Sequence, residues 1–163
     1  MALTSSQGRR MHYLAFKLLH IAVVVLFLGN ITTGLFWMHH AKRYRVPARI
    51  AETMDGVIRS DRLFTLPCVL LIVASGFVAA MLGGFTPVLR VGWIASALAL
   101  FALSGLLFMW LAPLQRRIRD YAARPDADWA TCQQLLLRWE RIGLASLLAA
   151  WGALVVMVLK IPH

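Results

Sequence analysis

Residues 18–40 read LLHIAVVVLFLGNITTGLFWMHH. The run Ile21–Met38 carries no charge. At about 1.5 Å of rise per residue it reaches nearly across the ~30 Å hydrocarbon core of a bilayer as a helix. Three further uncharged apolar runs follow, Leu63–Leu82, Val91–Leu114 and Ile142–Leu159. Their apolar residues are continuous rather than alternating, which excludes a membrane β-barrel, and a spanning segment must satisfy its backbone polar groups internally. The fold class is therefore all-α: one polytopic domain over 1–163, an antiparallel bundle of four transmembrane helices. The expected spans are 14–40, 63–82, 91–114 and 139–160. An amphipathic helix is expected over 48–60 on the inner surface, because Ile50, Met54, Val57 and Ile58 recur at helical spacing with charges between them. Pro125 with Asp126 and Asp128 marks a helix start well ahead of the fourth apolar run.

Composition agrees. The chain has 163 residues, 60% hydrophobic, with a mean hydropathy of +0.71, well above the ~45–50% apolar content of soluble domains. A net charge of +10 in a soluble chain would suggest nucleic acid. Here the cations lie in blocks between apolar runs, which argues against nucleic-acid binding and for contact with lipid headgroups. Six Lys and Arg fall in 41–62 and six in 115–141, against five elsewhere (Arg9, Arg10, Lys17, Arg90 and Lys160). The positive-inside bias puts both termini outside, and the expected location is a bacterial inner membrane. The first apolar run is too long for a signal-peptide core and no A-x-A site follows it, so a retained helix is expected. Cys68 and Cys132 form no CxxC or Cys/His pattern and are expected to be free thiols.

Small residues give a packing pattern. Ala145, Ala149 and Ala153 form one small-xxx-small ridge, and Gly76 with Ala80 another. Trp37, Trp93, Trp110, Trp139 and Tyr13 lie near segment ends, where interfacial aromatics belong.

Few residues in the apolar runs carry chemistry. Asn30, near the middle of the first run, reads as an interhelical hydrogen-bonding group. Asp61 and Glu140, each followed by Arg, read as ion-pairing or helix-start charges at the inner ends of the second and fourth helices. His39 and His40 read as interfacial. His20 stands shallow at the outer end of the first helix, and intramembrane ionisable groups mark functional sites. Met81 and Met157 fall at a matching depth near the ends of helices two and four, and His12, Met11 and His163 are on the same side. A haem iron takes His/His or Met/His axial pairs. Haem b is thus the first candidate cofactor, held by His20 with Met157, Met81 or the His20 of a second protomer, and with Lys17 and Lys160 near the propionates. Copper is the alternative, through His20, His12, His163 and the thioethers. A third reading makes the chain a structural or interaction subunit, with a homo-oligomer or another membrane protein as partner.

The order LLHIAVVVLFLGN, SDRLFTLPCVLLIVASG, RVGWIASALALFALSGLLF, LAPLQRR and RWERIGLASLL resembles the family called domain of unknown function 2269, across nearly the whole chain. That resemblance implies a four-helix membrane protein and no established activity. A looser likeness reaches the haem-binding J-type protoporphyrinogen oxidase and the copper-resistance D domain. The oxidase has a histidine in the register of His20 and a second helix similar to Pro67–Gly76. Where it carries a lysine in its third helix, this chain has WIASA.

Overall fold

The computed structural model describes residues 2–161, with side chains from Gln7 onward. His163, one of the candidate ligands, lies outside the described residues. The described residues contain helices and no strand: α1 (Ala2–Lys42), α2 (Pro47–Ser60), α3 (Leu66–Leu82), α4 (Gly92–Ala122) and α5 (Trp129–Leu159). Four helical rods, Gln7–Lys42, Pro47–Leu82, Gly92–Ala122 and Trp129–Leu159, are long and apolar enough to cross a membrane. They form the expected four-helix membrane bundle, in which α1 packs chiefly on α3, and α4 on α5.

The expected surface helix over 48–60 is joined to the second span. Residues Asp61–Thr65 continue α2 into α3 as a π-helical turn, in which the Leu66 N–H bonds to the Asp61 carbonyl. Pro67 supplies the cause. It has no N–H to offer the Leu63 carbonyl, and its ring crowds that carbonyl. A wider turn relieves the clash without breaking the rod. Met38, Ile50, Met54, Ile118, Leu136 and Cys132 are fully buried here. α2 therefore closes a core with α1, α4 and α5 at the basic end instead of lying free on a surface. At about 1.5 Å per residue the rods are roughly 45–55 Å long, so this end stands clear of a ~30 Å hydrocarbon core.

A second core lies between Val23, Phe27, Leu28, Cys68, Ile72, Leu147 and Ala150. Most large apolar side chains elsewhere on the rods, such as Leu70, Leu106 and Val158, face outward, as expected where lipid is the solvent. The small-residue stripe on α5 differs from the expected ridge: Ala145 faces outward, while Gly143, Ser146, Ala149, Ala150 and Ala153 are buried. Ser146 on this stripe lies 3.0 Å from Ser104 of α4 and donates to its carbonyl. Both cysteines are free and buried.

The basic end is tied by specific contacts. Lys42 at the end of α1 meets both carboxylate oxygens of Glu140 on α5 at 2.7 Å. Asp55 on α2 meets Arg59 at 2.8 Å and Arg119 of α4 at 3.6 Å. Asp128 caps α5, accepting from the Thr131 N–H at 2.9 Å and from the Tyr121 hydroxyl at 2.6 Å. These bonds favour the charged form and hold the Asp128 carboxyl down at about 2. A depressed folded-state pKa contributes stability above the ordinary carboxylate value, and that contribution is lost as pH falls through the folded value. Thermal unfolding in detergent should therefore show a component that disappears between pH 3.8 and about 2. That component should be missing from Asp128→Ala.

Candidate functional site

Beside the Ser104–Ser146 pair, two polar sites stand out in the apolar interior of the described residues. The first surrounds Asp61. The π turn sets Asp61 and Thr65 four residues apart on the inward side, both buried, and the Thr65 hydroxyl donates to Asp61 Oδ1 at 2.9 Å. From α1, the Asn30 amide donates to Thr65 Oγ1 at 2.9 Å and to Asp61 Oδ1 at 3.4 Å, while Asn30 Oδ1 accepts from the Ser60 hydroxyl. From α4, Gln115 Nε2 donates to Asp61 Oδ2 at 2.8 Å. One carboxylate thus joins α1, α4 and the α2–α3 rod. Among the described residues no Lys, Arg or His lies within ion-pairing distance of it. Asp61 and Glu140, matched in the sequence by position and by the Arg that follows each, differ in the fold: Glu140 has a cation and Asp61 has neutral donors only.

A cavity of about 320 Å³ adjoins this cluster, lined by Asn30, Asp61, Phe108, Gln115 and Trp139 among others. Trp139 is not the interfacial aromatic expected from its place near a segment end. It is 2% exposed, and its indole N–H has no hydrogen-bond partner. The reason for the difference is that α5 begins at Trp129 and α4 runs on to Ala122. Both extend the bundle past the apolar runs, so Trp139 and Gln115 sit inside packed helices.

The second site is His20. Its Nδ1 lies 3.0 Å from the Ile72 carbonyl and 3.3 Å from Ser75 Oγ on α3. A carbonyl can only accept, so Nδ1 carries the proton and Nε2 keeps its lone pair. The Ser75 hydroxyl proton is directed at the Leu71 carbonyl, which leaves its oxygen free to accept from the imidazole. Gly76 makes room for the ring: a Cβ there would stand 2.9 Å from Cε1 and 3.1 Å from Nδ1. The imidazole is half-buried against α3.

The other expected ligands differ in exposure. Met81 is 53% exposed, and Met157 is half-buried on α5. Met11, His12, Lys17 and Lys160 are exposed, Lys17 lying over the Tyr13 ring. His40 meets Trp37 and Tyr44 edge-to-face at the basic end. Among the described residues no three His, Cys, Asp or Glu side chains form a metal-binding group.

The Asp61 cluster makes a stability prediction. Gln115→Leu removes the donor to Asp61 Oδ2, the only one among the described residues. It should cost about 1–3 kcal/mol, the penalty of an under-satisfied buried group. Equilibrium unfolding in mixed micelles measures it, and the exposed change Arg116→Leu should lie within about 0.5 kcal/mol of the parent.

No curated protein and no solved structure matches the chain significantly. A family model described as predicted integral membrane protein matches residues 14–161. The chain, a four-helix membrane bundle with a polar cluster at its basic end and the half-buried His20 toward the other, belongs to that family, DUF2269.

Proposed function

We propose that the protein is a small membrane redox protein that holds haem b through Nε2 of His20. The observation that carries this reading is the Nδ1–H bond to the Ile72 carbonyl. Histidines that ligate metals commonly donate their other ring nitrogen to a carbonyl or carboxylate, which fixes the tautomer and aims the free lone pair. His20 has that arrangement, and no hydrogen bond to its Nε2 occurs among the described residues. The donor set fits haem iron better than copper. A lone imidazole suits one axial position, whereas copper needs several soft donors together and Met81 is largely exposed. Met157, half-buried on α5, or the His20 of a second copy would supply the other axial ligand. Lys17 and Lys160, exposed at the same end, would face the propionates. Bound haem would supply one-electron chemistry, and the chain's own part is to fix the ring and exclude water on the α3 side.

The test is an absorption spectrum of detergent-purified protein, from haem-replete cells, oxidised and then reduced with dithionite. A Soret band that shifts on reduction is expected. It should vanish in His20→Ala and weaken in Gly76→Ala, whose new Cβ pushes the ring from its seat. A colourless protein containing stoichiometric copper would favour the copper reading, and one with neither would favour a structural subunit.

A further inference from the structure

The cavity at the basic end holds two unmet demands that the His20 reading leaves aside. The first is a buried carboxyl group with no cation partner among the described residues. A carboxylate offers about four lone-pair sites, and Asp61 uses three of them on Thr65, Asn30 and Gln115. All three donors are neutral, and among the described residues no cation pairs with it. The second is a donor. The Trp139 N–H is buried and lacks an acceptor, and an unpaired buried polar group is costly enough to need an explanation. Both side chains line the same space.

The walls narrow the choice of ligand. Trp37, Phe108 and Trp139 line the cavity, and the faces of aromatic rings attract ammonium groups. A volume of about 320 Å³ lies at the small end of ligand pockets. Gly56 is exposed on α2, with nothing within 4 Å of where its Cβ would stand. It opens one wall beside Trp37, itself largely exposed. This opening precedes the second apolar run in the chain and lies on the basic side. A bare cation would be repelled by a chain of net charge +10, and it would leave the indole unsatisfied. A zwitterion meets neither objection.

We propose that this cavity is a binding site for an ammonium group with an adjacent hydrogen-bond acceptor, of the phosphoethanolamine type. The ammonium sits against Asp61 and the aromatic faces, and the acceptor takes the Trp139 N–H. The source is either an aminophospholipid headgroup of the leaflet at the basic end or a free small zwitterion.

Native mass spectrometry of the full chain released from nanodiscs of equal phosphatidylethanolamine and phosphatidylglycerol tests the lipid source. Tryptophan fluorescence titrated with O-phosphoethanolamine, with inorganic phosphate as control, tests the free one. Selective retention of phosphatidylethanolamine supports the headgroup. Saturable binding of O-phosphoethanolamine but not phosphate, without lipid retention, supports the free zwitterion. In either arm Asp61→Asn should weaken binding at least tenfold and Trp139→Phe about threefold. Gly56→Leu, which fills the opening from an exposed position, should abolish it and serves as the test if Asp61→Asn does not fold. Absence of binding in both arms overturns the proposal. So does unchanged binding in a folded Asp61→Asn, Trp139→Phe or Gly56→Leu variant.

Discussion

A carboxyl group in a low-dielectric interior must be surrounded by hydrogen-bond partners. Asp61 meets that constraint by drawing Asn30, Thr65 and Gln115 to one point. The three donors sit on three different helical rods, so meeting the constraint also fixes how those rods are set against one another. Where lipid tails are as apolar as the helices, burial contributes little to association, and polar bonds and close packing take over. The Asp61 cluster supplies the polar bonds at the basic end. The Ser104–Ser146 pair and the buried small residues of α5 supply close packing along the α4–α5 seam.

The π turn links that constraint to a single residue. Pro67 widens the helix one turn ahead of itself, and the widened turn directs Asp61 and Thr65 inward. The same turn lets the α2–α3 rod pass from the basic core to the membrane core without a break. The polar end of the cavity is therefore a product of local backbone chemistry, and its apolar walls come from helices that converge on it.

Much of this was legible in the sequence. Four apolar runs of membrane-spanning length and the blocks of Lys and Arg between them gave the bundle. The helix start at Asp128 could be read from Pro125 and the acidic residues after it. Asn30 and Asp61 could each be singled out as polar groups in or beside an apolar run. Their partnership could not, because it depends on a π turn whose only sequence signal is Pro67, and Pro67 reads equally as an ordinary first-turn proline. Gln115 and Trp139 lie just past the apolar runs and so read as loop and interface. They are buried because the helices outrun the hydrocarbon. His20 was visible as an anomaly, but its tautomer required the Ile72 carbonyl, fifty-two residues away.

The most direct measurement of the central claim is a double-mutant cycle between Asp61 and Gln115, using Asp61→Ala, Gln115→Ala and the double variant, with unfolding free energies in one micelle system. If the carboxylate gathers these helices, the pair should couple by about 0.5–3 kcal/mol, the range for residues in one hydrogen-bonded network. Additivity within about 0.3 kcal/mol would contradict the account.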